Sequence, residues 1–475
     1  IVAVGGVGGG PASLFGVPFD YPDPEFHYFM SKHAPDGSVL WVNFLQAQYG
    51  IRLRGLAIDS NGNFATCGDD YDNGFVHKYD PEGNLLWASV LGGAGQETAT
   101  SVDFAPDGDL VAGGFSDYGA IFIDSLEINA GSFFVGATLR YGPNGDLEWY
   151  DAQPESPNHV FIAPGGEITA HEGLTRFRHF DASGSADWTK EFVDAQGFGQ
   201  GFARFTHSAR GPGGDIFAAG ELVGSLEIDG FVLENLPGHC TDFIFARIGS
   251  DGILQWATLA RPITDYDCAG QTFDVAVDGQ GNSFVLGETA GPMMFDGTAV
   301  PALTVFLVSH DPAGNQNFVC LPLVGGIGLT TVAVSPFNQA LLLGGMVDGP
   351  QTVAGISIDP EGDANHGYVV SVASPLATGV SAPHAVARLE AYPNPFNPRV
   401  TIRYSLPYGG EVQLDIHSVD GAHVRSLVRG YRAGGAETAA WDGRDARGRV
   451  VGSGVYFAVL RAGGTRLVQK VTLLK

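Results

Sequence analysis

FVHKYDPEGNLLW, residues 75–87, is the stretch that decides the fold of this chain. An apolar segment, an Asp-Pro-x-Gly turn and a second segment ending in tryptophan form the pattern of a β-hairpin. The pattern recurs at residues 29–41, 137–149, 176–188, 244–256 and 306–318, always with the turn glycine four residues before the aromatic residue. An aromatic residue fixed at one strand end in every copy is typical of packing between repeats. We therefore predict that these residues pack blade on blade and do not bind a ligand: Trp41, Trp87, Trp149, Trp188, Trp256 and Phe318.

A second hairpin, closing on small residues, lies between the tryptophan hairpins at residues 56–69, 102–115, 160–173, 208–221, 275–288 and 332–345. The two alternating hairpins make a four-stranded unit, and a repeated unit of this kind predicts an all-β fold, a β-propeller. Segments 117–132 and 223–242, between the hairpins, are expected to be long surface loops.

The two ends of the repeat region, residues 1–6 and 367–373, each match one further strand. We predict seven blades, with an incomplete blade that joins these two strands. Two alternatives stay open: six blades with two accessory strands, or strands donated by a neighbouring molecule.

Charge divides the chain into two parts. The net charge is −27, but residues 388–475 carry 13 Lys+Arg and 7 Asp+Glu, whereas residues 1–387 carry 12 and 45. The charges of +6 and −33 predict a boundary near 388 and exclude nucleic acid as a partner of the large part, because phosphate binding needs a basic surface. We predict a propeller at 1–374, a linker at 375–390 and a C-terminal domain at 391–475.

The remaining composition points to a protein outside the cell. No apolar run approaches the ~20 residues that span a bilayer, so we expect no membrane insertion. The chain starts at Ile1 without a charged apolar leader, which suggests a processed, secreted product at the cell surface or beyond it. Cys240 and Cys268 flank the hairpin at residues 244–256 and are the predicted disulfide; Cys67 and Cys320 are expected to be buried free thiols.

Two acidic loops are the candidates for a metal. Asp69, Asp70 and Asp72 in one loop, and Asp265 and Asp267 in another, supply carboxylate oxygens of the kind that calcium prefers. The alternative for both is a solvated polar turn. No zinc, phosphate-loop or nucleophile motif occurs, so we expect no other cofactor and no catalysis.

Residues 391–475 alternate apolar and polar positions between Gly-rich turns, which predicts a β-sandwich of about seven strands. Its distinctive residues are Tyr392, Pro393, Asn394, Pro395, Phe396, Asn397, Pro398, Trp441, Asp442, Gly443, Gly454, Val455, Tyr456 and Lys470. With these residues the segment resembles the Ig-like domain of the flagellar hook-capping family, which also serves as a C-terminal sorting and attachment module on secreted bacterial proteins, including type IX secretion cargo. His417-Ser418 departs from the Tyr-Asp that is usual in the family.

These features predict a non-catalytic structural or adhesive protein. The repeats resemble the propeller repeats of secreted bacterial proteins, and the terminal resemblance implies export and attachment. The acidic propeller and the basic terminal domain are complementary, which suggests head-to-tail self-association into a fibre or layer. The alternative is a propeller that binds a surface glycan or a protein and is delivered by the sorting domain. A propeller hydrolase or lyase would need carboxylates or metal-binding histidines at equivalent positions of several blades, a pattern that the repeats lack.

Overall fold

The computed structural model of the chain describes residues 2–7, 10–14, 17–21, 27–34, 38–45, 51–105, 107–193, 201–235, 241–263, 269–320, 323–324, 328–335, 340–347, 351–353, 356–358, 366–372, 388–406, 410–419, 421–432, 435–462 and 465–474. Within these residues every regular element is a β-strand, as the hairpin repeats predict. The described part of the chain contains no helix of the length and apolarity needed to cross a membrane.

The strands of the repeat region follow in chain order. The first fifteen are β1 (Val2–Val7), β2 (Gly10–Leu14), β3 (Val17–Tyr21), β4 (His27–His33), β5 (Val39–Leu45), β6 (Arg52–Ile58), β7 (Phe64–Asp69), β8 (Gly74–Tyr79), β9 (Leu85–Leu91), β10 (Glu97–Phe104), β11 (Leu110–Ser116), β12 (Ile121–Ile123), β13 (Leu126–Ile128), β14 (Val135–Tyr141) and β15 (Leu147–Gln153). The next nine are β16 (Pro157–Ile162), β17 (Ile168–Glu172), β18 (Arg176–Phe180), β19 (Ala186–Glu191), β20 (Gly201–Arg210), β21 (Ile216–Ile228), β22 (Phe231–Glu234), β23 (Asp242–Ile248) and β24 (Leu254–Pro262). The last twelve are β25 (Gly270–Val277), β26 (Ser283–Thr289), β27 (Met293–Phe295), β28 (Thr298–Val300), β29 (Val305–His310), β30 (Gln316–Cys320), β31 (Leu323–Val324), β32 (Gly328–Val334), β33 (Leu341–Val347), β34 (Gln351–Val353), β35 (Ile356–Ile358) and β36 (His366–Val372).

Seven antiparallel sheets form successive blades: β1-β4-β5, β6-β7-β8-β9, β10-β11-β14-β15, β16-β17-β18-β19, β20-β21-β23-β24, β25-β26-β29-β30 and β32-β33-β36. We call them blades 1 to 7 and the four strands of a complete blade a to d. Strand a packs on strand a of the next blade, as β6 does on β10 and β25 on β32. Short antiparallel sheets that pack face to face in sequence form a β-propeller, so the predicted fold class is confirmed.

Burial explains the composition of the strands. Strand b lies inside its blade with a neighbouring blade on each face, so β7 is buried along its whole length. Ala65, Cys67 and Gly68 fit there because the space around strand b is small: a Cβ at Gly68 would overlap the carbonyl of Arg52 in the neighbouring strand of the same blade. Strand d is the outer strand, and β9 accordingly alternates between exposed and half-buried side chains.

The terminal strands do not share a blade, and the predicted joining of the two ends into one blade is wrong. Strand β1 pairs with β4 in blade 1, and β36 pairs with β33 in blade 7. Each terminal strand therefore pairs with the neighbouring strand of its own blade. Blades 1 and 7 have three strands each among the described residues.

The predicted surface loops are also corrected. Residues 117–132 contain the hairpin β12-β13, and residues 223–242 contain the hairpin formed by β21 and β22. Similar hairpins, β2-β3, β27-β28 and β34-β35, occupy the same b-to-c connection of blades 1, 6 and 7. Apolar residues of β12 and β27 are buried in the main core, which is why these segments fold as strands and not as solvated loops.

The C-terminal region is a β-sandwich. Its strands are β37 (Arg388–Tyr392), β38 (Val400–Leu406), β39 (Gly410–Ser418), β40 (His423–Arg432), β41 (Gly435–Trp441), β42 (Gly454–Ala462) and β43 (Thr465–Leu473). Sheets β37-β38-β41 and β40-β39-β42-β43 enclose one hydrophobic core around Trp441, Tyr404 and Leu414. Because β37 begins at Arg388, the last residues of the predicted linker belong to the sandwich; 375–387 lie outside the described residues.

Candidate binding surface

The repeated tryptophans lie where two blades meet. The indole of Trp87 donates its N–H to the carbonyl of Pro143, in the Asp-x-x-Gly-type turn of the next blade, at 3.1 Å. The same ring covers Gly145, where an added Cβ would approach the indole to 2.7 Å. Glycine is required here for two reasons: a larger residue would collide with the indole, and the φ of +93° is a conformation that other residues rarely adopt. The indole–carbonyl bond recurs at Trp41–Pro81, Trp188–Ser250 and Trp256–Pro312. The two other repeat aromatics also pack against the next blade: Trp149 lies against Gly184, and Phe318 is buried in the core shared with blade 7.

A basic side chain opposite each of four tryptophans completes this contact. Lys78 pairs with Trp87 across strands c and d, and its Nζ donates to the carbonyls of Gly108 and Pro143 at 3.1 and 3.2 Å. Burial lowers the pKa of Lys78. We call the tryptophan and its basic partner the clamp. Its other basic members are Lys32, Arg140 and Arg247.

The inner strands are joined by a different set of contacts. Asp274 of β25 accepts hydrogen bonds from the N–H of Val332 at 3.0 Å and from Thr331 Oγ1 at 2.6 Å, both in blade 7. Ser101 and the backbone of Val160 repeat the contact between blades 3 and 4. Burial raises the pKa of Asp274 to about 6.

The two ends of the propeller carry different connections between strands. The a-to-b and c-to-d turns lie at one end, which we call the turn face. The b-to-c and d-to-a connections lie at the other end, the loop face, and all inserted hairpins belong to it. Because the turn face repeats one sequence and carries the clamps, it is structural, whereas the loop face varies from blade to blade.

Aromatic side chains are exposed on the loop face. In blade 3, Tyr118 and Phe133 are 53% and 67% exposed, and their rings meet edge to face with centroids 4.5 Å apart. In blade 2, Tyr71 is 55% exposed and has a φ of +77°. Bulky residues rarely adopt this left-handed conformation, and strained residues cluster at binding and catalytic sites.

The turn that carries Tyr71 is fixed by its acidic neighbours. The N–H of Asp70 donates to the carbonyl of Asn73 at 3.0 Å, and the N–H of Asn73 donates to Asp70 Oδ1 at 2.8 Å. The guanidinium of Arg52 lies 5.2 Å from the centre of the Tyr71 ring. The turn therefore fixes the backbone of Tyr71, and a cation lies against one face of its exposed ring.

Asp69 does not face an open metal site. Its carboxylate is 1% exposed and accepts from Arg52 Nε at 2.7 Å and from Arg54 Nε at 3.1 Å. No group of three or more His, Cys, Asp or Glu side chains placed to hold a metal ion occurs among the described residues, and these include Asp70 and Asp72. We propose no calcium at this loop. Asp265 and Asp267 lie outside the described residues, as do Cys240 and Cys268 of the predicted disulfide.

The two remaining cysteines are free thiols, as expected. Cys67 is buried in strand b of blade 2, as predicted, whereas Cys320, at the end of β30, is only half-buried. Burial raises the pKa of both thiols, that of Cys320 to about 12. Thiols held protonated in this way are unreactive near neutral pH.

The carboxylates with raised pKa values, among the described residues, are engaged within the fold. Burial raises the pKa of Glu172 to about 7, although Arg178, 3.3 Å away, opposes the shift. Burial also raises the pKa of Asp103, which accepts from the N–H of Ile162 at 2.9 Å. Such contacts between strands and blades are structural uses of a carboxylate.

The C-terminal motif residues build the sandwich. Phe396 is buried against Trp441, and its backbone bonds to β43. Asn394 binds the same strand through both ends of its amide, donating to the carbonyl of Lys470 and accepting from the N–H of Thr472, each at 2.8 Å. Trp441 donates to the carbonyl of Arg444 at 2.9 Å. The motif thus fastens the last strand to the start of the domain. Exposed members of the motif are Tyr392, Pro393, Asn394, Pro395, Asn397, Pro398, Asp442, Gly454 and Lys470, whereas Gly443 is buried and Val455 and Tyr456 are half-buried.

Comparison with known proteins gives distant structural neighbours. No protein-family model matches the sequence, and no curated protein matches it. BamB from Moraxella catarrhalis is 12% identical with a TM-score of 0.37, over 93% of this chain and 100% of that one. YCF48, solved bound to D1 peptide, is 10% identical with a TM-score of 0.36, over 75% and 92%.

A third neighbour is PorZ, a surface component of the type IX secretion system of Porphyromonas gingivalis. It is 15% identical with a TM-score of 0.32, over 88% of this chain and 59% of that one. At such values the likeness supports no argument about activity or partners, and the propeller assignment depends on the order of the strands in the seven sheets.

Proposed function

We propose that this chain is a non-catalytic adhesive protein of the cell surface or extracellular space, which binds its ligand on the loop face of the propeller. The observation that carries the proposal is the exposed aromatic surface formed by Tyr71, Tyr118 and Phe133. Aromatic rings of this kind bind sugars and protein side chains by stacking, and variable surface connections are where binding residues concentrate.

The C-terminal sandwich is proposed to be the Ig-like attachment module that its motif resembles. Seven strands in two sheets around a buried tryptophan support this proposal. Exposed cations surround the sandwich and would favour contact with an acidic surface. They are Arg399, Arg403, Arg429, Arg444, Arg447, Arg449, Arg461 and Lys470.

A glycan array tests the adhesive function. The purified chain, labelled at its N-terminus, is expected to bind a limited set of glycans, and incubation with the same glycans is expected to release no product. Binding to none of them, or turnover of any, would contradict the proposal.

A second candidate function is head-to-tail assembly, and the charge difference favours it. An acidic propeller of −33 and a basic terminal region of +6 attract each other between copies, and heterologous contacts that do not close form filaments. Light scattering is expected to show large species at low ionic strength that dissociate at about 0.5 M salt, where the Debye length is only a few ångströms. A strict monomer at every salt concentration would remove this candidate.

A further inference from the structure

Arg52 and Arg54 are unusual among the cations of the acidic region. All twelve Lys and Arg residues of 1–387 are described, and the other ten each meet a carboxylate or a backbone carbonyl of their own. These contacts are Lys32–Pro81, Lys78–Gly108, Arg140–Asp109, Arg176–Glu191, Arg178–Asp151, Lys190–Asp229, Arg204–Glu221, Arg210–Asp103, Arg247–Asp215 and Arg261–Asp242.

Arg52 and Arg54, by contrast, share the single buried carboxylate of Asp69. Their side chains are 43% and 42% exposed, so both guanidinium groups reach solvent at the loop face. A guanidinium has five N–H donors, and the bonds to Asp69 use only Nε of each arginine and one terminal nitrogen of Arg52. The pair therefore keeps several donors for a ligand. Its positive charge is not in excess, because Asp70 and Asp72 lie in the turn that follows Asp69.

One tyrosine adjoins the arginine pair. Tyr71 places an exposed ring against the guanidinium of Arg52 and is held in a strained conformation. The cluster Arg52–Arg54–Tyr71 thus combines fork-shaped cation donors with an aromatic face, on the loop face of blade 2.

We propose that this cluster binds the carboxylate of an acidic sugar unit, with the sugar ring against Tyr71. A guanidinium fork matches a carboxylate, and a sugar ring stacks on an aromatic face. Asp70 and Asp72, in the same turn, disfavour a bare dianion such as phosphate but can accept hydrogen bonds from sugar hydroxyls. The inference rests on the proposed adhesive function, for which it names the ligand.

The overall charge restricts the ligand further. A polyanion is repelled by a chain of net charge −27, whereas a single carboxylate can be bound through the free guanidinium donors without a local excess of positive charge. The proposed ligand is therefore a glycan with one terminal uronate-type residue and not an acidic polysaccharide.

The test compares methyl β-D-glucuronide with its methyl ester, a neutral molecule of nearly equal shape, in NMR titrations of the full chain. We expect the acid to bind and the ester to bind at least about tenfold more weakly, because charge-assisted bonds are lost. Arg54→Gln and Tyr71→Gly are each expected to abolish binding of the acid. Tyr71→Gly is the decisive variant because glycine suits the φ of +77°, so the loop keeps its fold.

Arg204→Gln is the matched control. Arg204 lies opposite Glu221 on blade 5 as Arg52 lies opposite Asp69 on blade 2, with a similarly exposed side chain, but it has a carboxylate of its own. This variant is expected to bind like the unmodified chain. The inference is overturned if the acid does not bind at about 10 mM, if the ester binds equally well, if Tyr71→Gly still binds, or if Arg204→Gln does not. A neutral glycan bound on the array would then leave the adhesive function standing without this ligand.

Discussion

Gly145→Ala tests the clamp between blades 2 and 3. The new Cβ would lie 2.7 Å from the indole of Trp87, and the residue has a φ of +93°. The left-handed backbone costs an L-residue about 1–2 kcal/mol, and forcing an extra carbon into a packed contact costs roughly 1–3 kcal/mol. We therefore expect the free energy of unfolding to fall by about 2–5 kcal/mol.

A matched variant separates the cost of the left-handed backbone from the cost of the clash with Trp87. Gly131 has a φ of +70° and no atom within 4 Å of an added Cβ, so Gly131→Ala should cost only the backbone term of about 1–2 kcal/mol. In a Trp87→Ala background the clash is absent, and Gly145→Ala should then cost the same as Gly131→Ala. Urea unfolding followed by circular dichroism measures all four variants. Equal costs for Gly145→Ala and Gly131→Ala in the unmodified chain would refute the clamp, and so would a cost of Gly145→Ala that is undiminished in the Trp87→Ala background.

Three further predictions concern pH and the sandwich. Burial lowers the pKa of His310 to about 4, so between about pH 6.5 and pH 4 the folded state binds fewer protons than the unfolded state. Stability therefore decreases as the pH is lowered through this range. The melting temperature of His310→Gln should decrease less over the same range. The pKa of Asp274 is raised, to about 6, so this carboxyl makes stability fall as the pH rises from about 4 to 6. Asp274→Asn should therefore stabilise the chain more at pH 8 than at pH 4. An equal change in melting temperature at the two pH values would exclude this role of Asp274. Asn394→Ala should cost about 1–3 kcal/mol in urea unfolding by removing two bonds to β43, whereas Asn397→Ala, on the exposed part of the motif, should be near neutral.

The repeats made the blades predictable because each strand pairs with its neighbour in the chain. The clamp lysines and arginines also have a sequence signal, since Lys32, Lys78, Arg140 and Arg247 each stand nine residues before the tryptophan that they accompany. The inserted hairpins had a signal too. The dipeptides at 229–230 and 296–297 are Asp-Gly between alternating apolar residues, and Asp229 and Asp296 have the positive φ that such hairpin turns require.

The candidate site was not predictable in the same way. Asp69 is an acidic residue in an acidic loop, and a calcium ligand is the natural expectation for it. Its role depends on Arg52 and Arg54, which lie in the preceding strand and reach it only because β6 and β7 pair in that register. The conformation of Tyr71 is likewise set by the turn around it, which composition does not specify.

The most direct test of the loop-face account compares two surface variants on the glycan array. Tyr118→Ser/Phe133→Ser removes two exposed apolar side chains from the loop face, and Leu85→Ser/Ile253→Ser removes two of comparable exposure near the turns of the opposite face. The account predicts that the first variant loses glycan binding while the second retains it, with both chains folded by circular dichroism. Retained binding in the first variant would contradict the account, and loss in the second variant as well would place the function on the turn face.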